Sequence, residues 1–248
     1  MIEFITPDWP APANIRAFST TRVGGVSASP YDSLNLGLHV EDTASDVLEN
    51  RRLLKQALDL PGDPCWINQT HSIEAVVLEN ESNRNADAAI SRKPETIATV
   101  MTADCLPILL CNHQGSEVAA IHAGWKGLLN GVVEAALAQM ESDNHSLIAW
   151  IGPAISQQNF EVDAQVKNAF DARSQNADAY FEANRPGHWL CDLTGLATQL
   201  LTGLGLEGVY SDPYCSFRDR ELFYSYRREG VTGRMASLIW INGSATQA

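Results

Sequence analysis

Apolar positions along this chain follow two periods, one of short strands and one of helices. Short β-branched runs predict strands over residues 73–78, 96–101, 106–111, 118–122, 147–151 and 236–241. Between them, apolar residues recur at helical spacing. Residues 46–58 carry Leu48, Leu54 and Leu58 on one side and stop at Leu60-Pro61-Gly62. Residues 127–140 place Leu128, Val132, Ala135, Ala136 and Met140 on a buried face, and residues 162–172 and 193–204 predict two further helices. Residues 80–93 read as an exposed polar loop and 171–188 as a surface excursion. Strands mixed with helices, with no repeat, low-complexity tract or linker, predict one α/β (α+β) domain over residues 1–248.

Composition narrows the classes. The chain has 248 residues, 45% of them hydrophobic, enough for a full core without disulfides, so a monomer or weak homo-oligomer is expected. A net charge of −13 opposes nucleic-acid binding, which calls for a clustered basic surplus. An anionic substrate would need arginines gathered locally against that field. The N-terminal residues include an early Glu3 and no basic or long apolar segment, so no signal peptide is expected. No stretch approaches the roughly 18 apolar residues of a membrane span. The expectation is a cytoplasmic protein without a membrane partner. Five cysteines (65, 105, 111, 191, 215) form no CxxC and read as reduced thiols.

Polar residues with unusual neighbours fall in four places: Asn68-Gln69-Thr70-His71-Ser72, Thr102-Ala103-Asp104-Cys105, His122-Ala123-Gly124-Trp125-Lys126-Gly127, and Tyr224-Ser225-Tyr226-Arg227-Arg228-Glu229-Gly230. His71, Cys105 and His122 together are two imidazoles and a thiol, the donors zinc prefers, and three protein ligands leave a fourth position open. Their spacing is long, so each also reads as a residue buried for structure. Gly124 and Gly127 open a strand-to-helix turn whose N–H groups, with Lys126, suit a phosphate; they equally suit a tight turn alone. Arg227-Arg228 beside Tyr224 and Tyr226 reads as an anion fork or as a solvated pair balanced by Glu229. Arg22 stands next to Gly24-Gly25 and ahead of Ser33-Leu34-Asn35, without the Lys-Ser or Lys-Thr of a P-loop.

These segments, with Thr20-Thr21-Arg22-Val23-Gly24-Gly25, Glu49-Asn50-Arg51 and Ile151-Gly152-Pro153-Ala154-Ile155, run in order along nearly the whole chain. In them the chain resembles the YfiH family, also called the laccase-domain or multicopper polyphenol oxidase family. It departs where that family usually reads Gln-Val-His-Gly and this chain has Gln69-Thr70-His71-Ser72, and where Lys126 stands for a frequent Arg. The resemblance implies a four-layer α/β/β/α sandwich with mixed sheets and a zinc site from His71, Cys105 and His122. It also implies phosphorolysis of purine nucleosides (adenosine, inosine, methylthioadenosine), with some adenosine deamination. Family members have also been described as polyphenol oxidases and linked to peptidoglycan precursor editing, and a toxin of the same fold uses a Cys–His pair on an amide.

Six histidines (39, 71, 113, 122, 145, 188) and no His-x-His exclude a multicopper set, although Cu2+ remains compatible with the three-ligand site. Phosphorolysis needs cationic groups for phosphate: Arg22, Lys126 and Arg227 are the expected ones, with Asn35 bonding phosphate or sugar. Deamination needs activated water and a carboxylate, for which Asp104 is the nearest candidate and Glu161 a more distant one. The rival is an amide hydrolase with Cys105 as nucleophile and His122 as base.

Overall fold

The computed structural model describes residues 1–82, 84–174 and 176–243. Residues 83, 175 and 244–248 lie outside the described residues; two fall in the polar stretches and five at the end of the expected domain. With strands numbered in chain order, a five-stranded sheet runs β1 (Phe4–Ile5), β2 (Ile15–Thr20), β14 (Met235–Ile241), β6 (Ala98–Thr102), β3 (Cys65–Trp66). A six-stranded sheet runs β13 (Gly208–Ser211), β9 (Leu147–Ile151), β7 (Leu106–Asn112), β8 (Val118–Ala123), β5 (Ala88–Ser91), β4 (Ala75–Val77). Both are mixed: β3 joins β6, β13 joins β9 and β4 joins β5 in parallel, and the other pairings are antiparallel. A small antiparallel sheet holds β10 (Glu161–Asp163), β12 (His188–Cys191) and β11 (Phe181–Arg185).

Period-two side-chain alternation sets the layers. From β7, Leu109 and Cys111 meet Ala98, Val100, Ile239 and Ile241 of the other sheet. Ile108 and Leu110 point the opposite way, onto α2 (Trp125–Asn130), α3 (Val132–Gln139), α4 (Ala164–Arg173) and α5 (Leu193–Gly203). The outer face of the five-stranded sheet presents Met101, Ala236, Leu238 and Trp240 to α1 (Ala44–Ala57). The order is therefore helix, sheet, sheet, helices, the α/β/β/α sandwich. The central strands β6, β7, β8 and β9 are buried on both faces, so they read as largely apolar runs in the sequence. Each fully buried Leu or Ile there contributes about 2 kcal/mol.

Several expectations change. The buried face of α1 is Val47, Asn50 and Leu54, while Leu48 is exposed. Asn50 donates to the Ser33 and Asn35 carbonyls and accepts from Val26 N, which ties α1 to the loop before it. The helix expected over 127–140 begins at Trp125 and breaks at Gly131, whose φ of 105° lies in the left-handed region. The helix expected over 162–172 starts only at Ala164, capped by the Asp163 carboxylate on Val166 N. Residues 80–93 contain β5, buried along its length, and residues 171–188 contain β11. Among the described residues no helix is long and apolar enough to cross a membrane.

The connections matter most for function. The chain passes from the five-stranded to the six-stranded sheet between β3 and β4, and again between β6 and β7; it returns between β5 and β6 and between β13 and β14. These passages carry His71, Cys105 and the segment with Arg227.

Candidate active site

The Asp87 side chain, fully buried just ahead of β5, organises the site. Its Oδ1 accepts from His122 Nδ1 at 2.7 Å and from the His71 N–H at 3.1 Å. Its Oδ2 accepts from the Ser72 N–H at 2.6 Å, the Ser72 hydroxyl at 2.7 Å and the Thr70 N–H at 3.2 Å. The Asp87 carbonyl also accepts from the His122 N–H at 2.7 Å. One carboxylate thus fixes both the passage loop with His71 and the ring of His122 on β8. Burial works to raise its pKa, but the bonds from His122 and Ser72 outweigh that and hold it at about 2. Ser72, a departure from the family pattern, adds a side-chain donor to this carboxylate.

His71 adopts φ 58°, and Asp104, immediately before Cys105, φ 90°. Both are left-handed conformations uncommon outside glycine, and each turns the chain sharply where a site residue is presented. The β7–β8 register pairs Leu106 with Ala123 and so brings Cys105 beside Gly124. A Cβ on Gly124 would stand 2.9 Å from Cys105 Sγ and 3.1 Å from His71 Cδ2. Gly124 therefore makes room for the site residues as well as opening α2.

The sequence-predicted trio converges. The ligand atoms of His71, Cys105 and His122 lie within 4.8 Å of one another, the one such group among the described residues. Cys105 Sγ is 3.8 Å from His71 Nε2, and the two imidazole rings meet edge-on at 4.8 Å. Burial opposes a Cys105 thiolate, but the neighbouring His122 and His71 outweigh it and bring its pKa to about 6. Burial likewise opposes a charged His122, yet the Cys105 thiolate and Asp87 push it up to about 9. With Nδ1 committed to Asp87, His122 turns Nε2 to the thiol. A carboxylate behind a histidine whose other nitrogen faces soft donors is the arrangement of a metal-binding imidazole. Two imidazoles and a thiolate suit zinc by donor type.

Two cavities meet at this group, sharing His71, Ala103, Cys105 and Tyr226 as wall. One, of about 430 Å³, is also lined by Trp125, Lys126, Phe160 and Arg227. The other, of about 360 Å³, is lined by His39, Gln69, Thr102, His122 and Arg234. Arg227 lies 5.1 Å over the Phe160 ring and donates Nη1 to the Glu161 carbonyl. Lys126 is exposed at the start of α2, which at six residues adds little dipole.

Other predicted residues are placed differently. Arg22 lines a separate cavity, spends its guanidinium on Asp32, Glu229 and the Arg220 carbonyl, and lies on the Tyr224 ring. Asn35 is fully buried; its amide donates to Gly37 O and Asp42, and its Oδ1 accepts from the N–H groups of Gly37 and Arg234. Asn35 has no atom left for a substrate, and Arg22 is held by protein partners at a cavity other than the two beside Cys105. Asp104 accepts from the Ser216 hydroxyl at 2.6 Å and the Arg227 N–H at 2.7 Å, so both carboxylate oxygens anchor the segment that carries Arg227. Glu161 is paired with Arg185 and Asn184. Asp87, His39 and Arg234 went unrecognised in the sequence. The Asp-Ala-Ala-Ile run from Asp87, a lone acid before a strand, is the only trace there of the first.

The sequence matches the family model described as multi-copper polyphenol oxidoreductase laccase over residues 16–242. It is 45% identical to a Shigella flexneri protein named purine nucleoside phosphorylase YfiH, over 97% of this chain and 100% of that protein. It is 45% identical to a purine nucleoside phosphorylase of Pseudomonas aeruginosa, over 97% and 99%. The fold is similar to a crystal structure of a Neisseria meningitidis protein, with a TM-score of 0.92 and 44% identity over 97% of this chain and 99% of that one. It is similar also to YlmD of Geobacillus stearothermophilus, with a TM-score of 0.88 and 27% identity over 96% of each chain.

Two outcomes follow from the Asp87 geometry. Its folded pKa of about 2 lies below the ordinary 3.8, so its contribution is complete above the latter and lost as pH falls through about 2. Asp87→Asn will flatten the stability of metal-free protein across that window in acid denaturation, and cost about 3 kcal/mol at pH 7. A mutant as stable as the parent at pH 7 would remove Asp87 from its organising role. Second, alkylation of Cys105 in metal-free protein will rise with a midpoint near pH 6, as its pKa of about 6 requires, when followed by mass spectrometry. A midpoint near the ordinary thiol value would contradict the thiolate–imidazolium pair.

Proposed function

This chain belongs to the multi-copper polyphenol oxidoreductase laccase family, and from that membership we propose that it is a zinc-dependent purine nucleoside phosphorylase. The observation carrying this reading is the convergence of His71, Cys105 and His122 where two cavities meet, one of them bearing Lys126 and Arg227. The relatives are named purine nucleoside phosphorylases; for this chain the proposed reaction takes adenosine, inosine or methylthioadenosine with phosphate to the base and ribose 1-phosphate. Phosphorolysis displaces the base from the anomeric carbon, so phosphate and base stand on opposite sides of it. Two cavities joined at one wall suit that geometry.

His71, Cys105 and His122 would hold the metal, and Asp87, by accepting from His122 Nδ1, fixes the ring so that Nε2 is the nitrogen turned toward it. Zinc bound there would supply Lewis acidity to a substrate polar atom. Lys126 and Arg227 receive phosphate, and Trp125 and Phe160 wall that cavity against bulk water. Asp104 orients the Arg227 backbone. Adenosine deamination is the secondary activity; it would require Asp104 to give up its bonds to Ser216 and Arg227 in order to carry protons. Copper in place of zinc is compatible with the same donors, but His113 on Glu207 and His188 on the Pro186 carbonyl are engaged elsewhere.

One observation favours a second reading. Asp87, His122 and Cys105 also line up as carboxylate, imidazole and thiol, the order of a cysteine hydrolase acting on amides such as those of peptidoglycan precursors. His71 has no task in such a relay, and its ring lies against both partners, which weighs toward metal.

Protein purified without added metal will carry about one zinc per chain, and Cys105→Ala will lose it together with phosphate-dependent base release from adenosine. Metal-free protein with a freely alkylated Cys105 and amide hydrolysis would transfer the function to the hydrolase. Arg227→Ala will raise the KM for phosphate about tenfold with the nucleoside KM unchanged. An unchanged phosphate KM would sink that placement.

A further inference from the structure

The smaller cavity, on the other side of the shared wall from Lys126 and Arg227, contains a cation the proposed chemistry has not used. Arg234 stands just before β14 and is partly buried. Its Nη1 donates to the Thr232 and Gly233 carbonyls at 2.9 Å each. Among the described residues no acceptor takes Nε or Nη2, so one complete edge of the guanidinium is free in a cavity next to Cys105 and His122. The side chain is also held in place. The Arg234 N–H donates to Asn35 Oδ1 at 2.9 Å, and Gly37, where a Cβ would fall 2.9 Å from Arg234 Cγ, lets the stem lie close. Asn35 is thus a positioning residue acting through Arg234. His39 lines the same cavity, and burial together with Arg234 and Arg51 lowers its pKa, leaving a neutral imidazole beside the cation.

We propose that this cavity is the base subsite of the phosphorylase and that Arg234 favours 6-oxopurines over the 6-aminopurines that the same site accepts. The proposal rests on the reading of the preceding subsection. A guanidinium edge offers two parallel donors, and a 6-oxopurine presents two adjacent acceptors, O6 and N7, on one edge. An adenine turns an amino group to the same place, donor against donor, and leaves N7 alone as acceptor. The same contact assists the reaction. As a phosphate oxygen bonds to the anomeric carbon, the C1′–N9 bond breaks and its electron pair passes into the purine. The purine takes up the proton carried in by the hydrogen phosphate. Negative charge on N7 and O6 grows along this path, so donors fixed on them hold the transition state more tightly than the substrate.

The test replaces Arg234 with Gln, which donates to N7 and accepts from an adenine amino group, the reverse pattern. In the metal-loaded protein, Arg234→Gln will lower the ratio of kcat/KM for inosine over adenosine by about tenfold or more, with the phosphate KM and zinc content unchanged. A ratio that stays put while both substrates fall together would overturn the assignment, because a structural loss does not discriminate between bases. Calorimetric titration with hypoxanthine and adenine separates the inference from the function it rests on. If neither nucleoside is phosphorolysed by the parent protein, tighter hypoxanthine binding that is lost in Arg234→Gln still supports the subsite. Equal binding of both bases overturns it.

Discussion

The site depends on one carboxylate that no solvent reaches. Asp87 gathers three successive backbone N–H groups, a hydroxyl and an imidazole, and each of its donors belongs either to the loop of His71 or to His122. A buried carboxylate is costly unless fully paired, and here the pairing is what brings two imidazoles within reach of a thiol. Its negative charge also sets the polarity of the group, since it sustains the charged form of His122, which in turn sustains the Cys105 thiolate. A metal cation entering this group meets a pre-set anionic ligand and two rings of fixed orientation.

The layer order follows from the same alternation that made the strands legible. β7 and β9 were recognisable because both faces are buried and both are apolar throughout. β5 was not, because its Ala-Ala-Ile-Ser is short and half alanine and follows a polar tract. That miss concealed Asp87, since a strand taken for a loop leaves its preceding acid looking solvated. The helix over residues 127–140 failed in the opposite way. Its apolar spacing continues through Gly131, and only the left-handed backbone there shows the break.

The convergence of His71, Cys105 and His122 was legible from donor chemistry and the family pattern, and the placing of the arginines was not. Charge type brought Arg22 and Arg227 forward on equal terms, yet Arg22 is consumed by Asp32, Glu229 and a carbonyl, while Arg227 lines a cavity beside Cys105. Asn35 and Asp104 stood near the right chemistry but act through backbone groups of Arg234 and Arg227. What separates a ligand-facing cation from a paired one is a contact across some 200 positions of chain, such as Arg22 with Glu229, and no local pattern encodes it.

The return passage from β13 to β14 carries Tyr226, Arg227 and Arg234, which line the two cavities, whereas His71, Cys105 and His122 come from other passages and from β8. This stretch is fastened to the rest through Asp104 and Asn35 by its backbone N–H groups, which every residue except proline possesses. The backbone bonds at positions 227 and 234 are consequently independent of the side chains those positions carry. On the proposed reading, reactivity and selectivity are carried on separate lengths of polypeptide, so substrate preference can be rewritten at positions 227 and 234 while His71, Cys105 and His122 keep their places.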